Sequence, residues 1–162
     1  YLPAGSALGV VPAASYAVPE NIAEYRVLAG GVDDFLAIVL KIERLDSGFS
    51  GRITYHDSCC GLRELGVQSQ PRRLLGLVPG AQLTEMADCT QCCGFGGTFS
   101  IKYGDVSAAI VDEKCRNIRA SGAEAVVLGD LGCMLNIEGR LRRSGDETTR
   151  VLHIAQVLAG DA

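Results

Sequence analysis

The chain has 162 residues, 48% of them hydrophobic, with 15 basic against 19 acidic side chains and a net charge of −4. That length supports one compact domain of radius of gyration about 15 Å with a core of its own, and the composition excludes a mostly disordered chain. An acidic balance offers no overall basic field for a polyanion, so neither nucleic acid nor an anionic membrane is expected as a partner.

The chain opens at Tyr1, and residues 1–18 are apolar and Ala-rich without a basic start. We do not read them as a signal peptide, and take the chain for a processed or truncated product. Residues 1–50 carry no cysteine and read as the remnant of an upstream half plus a linking helix, which falls at 32–42 with Asp33 and Asp34 in its first turn. The apolar run at 35–40 is far shorter than the roughly 20 residues of a membrane span. From residue 51 the pattern changes to short apolar runs between longer periodic stretches. Strands are expected at 53–55, 83–86 and 125–128, and helices at 60–65, 105–121, 131–143 and 151–158. In the clearest helix Val106, Ile110, Val111 and Ile118 make the inner face, Glu113, Lys114, Arg116 and Arg119 the outer one, and Gly122 the stop. The alternation predicts an α/β fold with a mostly parallel sheet flanked by helices.

Seven cysteines, at 59, 60, 89, 92, 93, 115 and 133, are an odd number in a chain large enough to fold without disulfides. They point to a reducing, cytoplasmic setting in which thiols are used chemically. H-D-S-C-C-G at 56–61, A-D-C-T-Q-C-C-G-F-G-G at 87–97 and D-L-G-C at 130–133 each follow an expected strand. Parallel strands end at one edge, so these loops should meet there, where open α/β sheets place their sites. Several thiolates crowded together need a cation. Helix N-termini at Cys60 and Cys133 supply part of it, and a metal ion or iron–sulfur cluster the rest. The glycines at 61, 94, 96, 97 and 132 would let backbone approach such a group.

Cys59 is followed after 32 residues by the Cys92-Cys93-Gly94 triplet, and Cys93 after 39 by Cys133. This pattern, with C-C-G-F-G-G-T-F-S at 92–100 and H-I-A at 153–155, resembles the cysteine-rich CCG domain family. That family includes the heterodisulfide reductase, glycolate-oxidase iron–sulfur and lactate-utilisation types, and the last looks nearest. The resemblance covers residues 52–160 and makes 51–162 the domain, the C-terminal half of a usually two-half protein. P-A-G-S-A at 3–7 looks like the tail of the other half, with Ala7 where a cysteine is common. The resemblance implies an iron–sulfur electron carrier in the oxidation of lactate or glycolate, working with partner subunits. By position Cys59, Cys92, Cys93 and Cys133 are the implied ligands of one 4Fe-4S cluster, which an aerobic preparation can lose. Asp130 stands where heterodisulfide reductase relatives begin a Cys-x-x-Cys, and Cys60 is the candidate replacement for the missing fifth cysteine.

Two alternatives stand beside this reading. One is a structural zinc module built from Cys89, Cys92, Cys93 and either Cys59 or Cys133. The other is thiol–disulfide chemistry at the same rim. Cys89 is read as an auxiliary thiol and Cys115 as a small core residue. His56 either donates to a cluster sulfur or bonds backbone at a strand end, and His153 is structural. Asp57 and Asp130 are expected as helix caps, with Lys102 and Arg63 as offsets for the cluster's charge. G-F-G-G at 94–97 lacks the Lys-Ser/Thr of a phosphate loop, so nucleotide binding is rejected.

Overall fold

A computed structural model describes Leu45 and residues 47–160. The helix expected over 32–42 and nearly all of the segment 1–50 expected as an upstream remnant lie outside the described residues. In chain order the elements are β1 (Gly51–Tyr55), a π-helical turn at Cys60–Glu64, α1 (Ser69–Gly76), β2 (Ala81–Leu83), α2 (Phe99–Lys102), α3 (Gly104–Ala120), β3 (Ala125–Leu128), α4 (Leu131–Arg143), β4 (Arg150–His153) and α5 (Ile154–Ala159).

The strands form one parallel sheet in the order β2-β1-β3-β4. A parallel sheet is covered on both faces, which favours continuous apolar runs in its inner strands, and A-V-V-L in β3, one of the two, is buried throughout. Alternation then divides the core. Val126 and Leu128 face a layer of α3 and α4 built from Val111, Ile118, Ile137 and Leu141, while Ala125 and Val127 face Leu75 and Val157 of α1 and α5. The expected α/β architecture is the one observed. No helix among the described residues is long and apolar enough to cross a membrane.

Two expected elements are displaced. The strand expected at 83–86 lies at 81–83, in register with Gly51 to Ile53 of β1. After Thr84 donates to the Ile53 carbonyl at 2.8 Å the chain leaves the edge to cover the rim. The helix expected over 151–158 splits into β4 and α5. Val151 and Leu152 are consecutive buried residues that pair with Val126 and Val127, and His153 caps α5, its Nδ1 accepting from Ala155 N at 3.1 Å. Helices α1 and α2 were not expected at all.

The turn into β4 is organised by Asp146. Its carboxylate accepts from Thr149 N at 2.9 Å, Thr149 Oγ1 at 2.8 Å, Arg119 Nε at 3.0 Å and Thr148 N at 3.1 Å. These donors, the Thr149 amide first, hold it well below the usual carboxylate range. A depressed folded-state value adds stability above the unfolded value of about 3.9 and loses it as pH falls toward the folded one. Urea denaturation between pH 4 and 2 should therefore show a steeper loss for the wild-type protein than for Asp146→Asn.

Candidate metal centre

The chain passes from β1 to β2 on one side of the sheet and then to β3 on the other, so the loops after β1 and β3 part company at a topological switch point. His56, Asp57, Ser58 and Cys59 leave β1 there, and Gly129 and Asp130 leave β3 to start α4. Residues 84–98 return from β2 across the same edge and carry Cys89, Cys92 and Cys93. Asp57 N donates to the Cys89 carbonyl at 3.1 Å, and Asn136 Nδ2 to the Cys93 carbonyl at 2.8 Å, so this loop is tied to the one after β1 and to helix α4.

Where they meet, the sulfurs of Cys93 and Cys133 stand 2.9 Å apart. Both thiols are free and buried. His56 completes the group: one donor atom from each of the three residues lies within 4.8 Å of the others. Period-two alternation along β1 turns Thr54 and His56 to the face opposite Ile53 and Tyr55, and the His56 amide prolongs the ladder by donating to the Val127 carbonyl at 3.0 Å. The imidazole is fully buried, and neither ring nitrogen has a hydrogen-bond partner. A side-chain bond to backbone, one of its two expected roles, is thus not found. A buried polar group left without a partner is costly, and an imidazole beside two sulfurs is a donor set suited to a thiophilic metal. The residues present fit such a centre.

Local structure aims these side chains. Asp130 caps α4 as expected, its Oδ1 accepting from Cys133 N at 2.8 Å, which sets the first turn and the Cys133 side chain. Gly94 N donates to Cys92 Sγ at 3.3 Å, and Ser107 Oγ donates to the Gly94 carbonyl at 2.8 Å. Gly94 has φ +82, and a Cβ there would come within 2.8 Å of the Ser107 carbonyl. At Gly132 a Cβ would meet the Phe95 ring at 2.4 Å. Both glycines are therefore needed for the close approach of loop to helix.

The thiols are not electrically alike. The 2.9 Å contact between Cys93 and Cys133 pulls the former toward the thiolate despite burial and drives the latter far up. Burial pushes Cys115 up to about 11 and also raises Cys89, while Cys60 is exposed and raised by its contact with Glu64, 3.5 Å away. Cys115 is a core residue, as the helix pattern implied. Cys59 precedes the π-helical turn and Cys92 adjoins Cys93, both half-buried on the same rim but outside the compact three-residue group.

Two polar residues, Asp57 and Lys114, depart from expectation. Asp57 is not a helix cap; Cys59 stands at the N-cap of the π-helical turn without a side-chain bond, and Ser58 Oγ accepts from Gly61 N at 3.2 Å just before it. The Asp57 carboxylate instead receives a bidentate Arg72 at 2.6 and 2.9 Å. Arg63 and Lys102 are exposed, whereas Lys114, assigned by its charge to the outer face of α3, is fully buried. The signal for it lay in spacing: Val111, Lys114, Cys115 and Ile118 form an i, i+3, i+4, i+7 stripe. Arg72 carried no comparable signal, because α1 itself was missed.

Residues 53–138 match the family model described as the cysteine-rich CCG domain. The chain belongs to that family. Among curated relatives, lactate utilization protein A of Geobacillus kaustophilus is 46% identical over 143 residues, which are 86% of this chain and 59% of that protein. The protein of the same name from Oceanobacillus iheyensis is 45% identical over 127 residues, 78% of this chain and 52% of the relative. That from Bacillus subtilis is 44% identical over 125 residues, 77% and 52% respectively. The chain spans between half and three-fifths of the length of these relatives.

Proposed function

We propose that this domain is an iron–sulfur electron-transfer module in the oxidation of lactate or a related 2-hydroxy acid. Cys59, Cys92, Cys93 and Cys133 would hold a 4Fe-4S cluster at the sheet rim, with Cys60 as the nearest spare thiol. Substrate oxidation is assigned to partner subunits, and the many free thiols favour a cytoplasmic setting. The observation that carries the reading is the buried meeting of Cys93, Cys133 and an unpartnered His56, in a chain 44–46% identical to proteins named for lactate utilisation. A bound cluster supplies reversible one-electron storage. The chain's own residues bury the site, fix Cys133 through the Asp130 cap and point the Gly94 amide at Cys92 Sγ. Large apolar side chains exposed on α2, α3 and α4, namely Ile101, Val106, Leu131 and Leu135, support contact with a partner.

Reconstitution of the 162-residue chain with iron and sulfide without oxygen, followed by metal and sulfide analysis and EPR of the reduced form, tests this reading. Iron and acid-labile sulfide in equal amounts with a cluster signal are expected; a folded sample that takes up neither overturns it. The compactness of the His56, Cys93 and Cys133 group, within the reach of a single ion, favours zinc as the second reading. Stoichiometric zinc without sulfide in protein purified anaerobically would select it.

A further inference from the structure

Lys114 heads the fully buried side chains of the domain by size. It lies on the stripe of α3 whose Val111, Cys115 and Ile118 pack in one core layer with Cys93 and Cys133. A buried ammonium is costly unless compensated, and an ammonium has three donors to satisfy. Its Nζ donates to the backbone carbonyl of Asp88. Asp88 is the non-glycine residue among those described that holds a positive φ, +51, which turns that carbonyl inward at the start of the cysteine loop. The groups nearby that can carry negative charge are Cys89, Asp88, Cys93 and Asp57. Asp57 is already taken by Arg72, and the Asp88 side chain belongs to an exposed residue. What remains for a counter-charge is sulfur, half-buried Cys89 first and buried Cys93 after it, and both offset the burial that pulls the Lys114 ammonium below its ordinary value.

We propose that Lys114 is a positioning residue of the metal centre: through the Asp88 carbonyl it fixes the loop from Cys89 to Cys93, and its ammonium neutralises thiolate charge on that loop. The proposal rests on reading the rim as a metal centre, and it deepens that reading by naming the fixed cation of the site. Positive charge beside bound thiolates favours their deprotonated form and so raises metal affinity. It also favours the reduced state of a bound cluster, which carries one more negative charge.

The test uses the full chain with Lys114→Met, Lys114→Gln and Lys114→Arg, each checked for folding by circular dichroism and thermal melting. One arm titrates the metal-free protein with Co2+ alone under argon, read by thiolate-to-metal charge-transfer absorption. The other measures the reduction potential after reconstitution with iron and sulfide. The neutral variants are expected to bind Co2+ about tenfold more weakly. Their reduction equilibrium should shift about tenfold toward the oxidised form, 59 mV for one electron. Lys114→Arg should stay near wild type in both. Neutral variants that match wild type in the arm that loads overturn the counter-charge while leaving the metal centre standing, and an arginine variant as weak as the methionine one overturns it in favour of packing. If the wild-type chain takes up neither Co2+ nor cluster, the metal-centre reading falls and the counter-charge with it.

Discussion

Replacing either Cys133 or Cys93 by alanine is expected to abolish metal uptake, whereas Cys115→Ala should leave it intact. The contrast is informative because all three residues are buried in the same core layer. A loss caused merely by cavity formation would appear at all three, at a cost of about 1 kcal/mol of stability for a side chain this small. A loss caused by removing a ligand appears only at the two sulfurs that lie 2.9 Å apart. Metal and sulfide content per folded chain, after anaerobic reconstitution, is the measurement. Full metal content in Cys133→Ala would defeat the assignment. His56→Ala separates the two candidate centres: as a zinc ligand its loss should remove binding as thoroughly as loss of a sulfur. As a hydrogen-bond donor to a cluster sulfur it should weaken binding by about 10- to 100-fold while leaving a cluster spectrum.

The sheet and the convergence of its loops were legible because they follow from rules that act on whole segments. A fully apolar A-V-V-L run must be a strand buried on both faces, and parallel strands must deliver their following loops to one edge. Elements at the sheet's margins were harder. V-L-H-I-A-Q-V-L at 151–158 has apolar residues that fit a helix as well as a strand joined to a helix, and only pairing with β3 decides between them. α1 was hidden because Ser69, Gln70 and Pro71 look like a turn, although proline is tolerated in a first helical turn, where its missing N–H has no partner to lose. At the site, cysteine spacing and glycine context identified the loops, but charge misled. Lysines are usually exposed, so the residue type at Lys114 points outward even though its position in the apolar stripe points inward. Asp57 reads as a cap because it precedes a helix. Its partner Arg72 stands 15 residues away, and side-chain pairing at that range leaves no periodic trace.

That pairing leads to the largest stability effect expected in the domain, a loss of about 3–5 kcal/mol for Arg72→Met. The Asp57 carboxylate has no exposed surface and the Arg72 side chain only 19%, so the variant would strand an ionised group out of water. Removing the arginine also removes its stacking over the Tyr55 ring, 4.9 Å from the centroid, and its contact with Cys89 Sγ at 3.8 Å. Its second partner, Glu85, is 47% exposed, and solvent screens most of that contribution. Asp57→Asn should cost less than Arg72→Met, because it leaves the guanidinium partly solvated and still paired with Glu85. Combining the two substitutions should recover part of the loss, since the uncompensated carboxylate is then gone. Urea denaturation of the three variants measures the coupling, and a loss below about 1 kcal/mol for Arg72→Met would show that the pair is too well hydrated for this account. Because Asp57 N also holds the Cys89 carbonyl, and Cys59 lies two residues beyond Asp57, the same substitution should loosen two of the three rim loops. Metal affinity should then fall along with stability in Arg72→Met, and recover with it in the double variant.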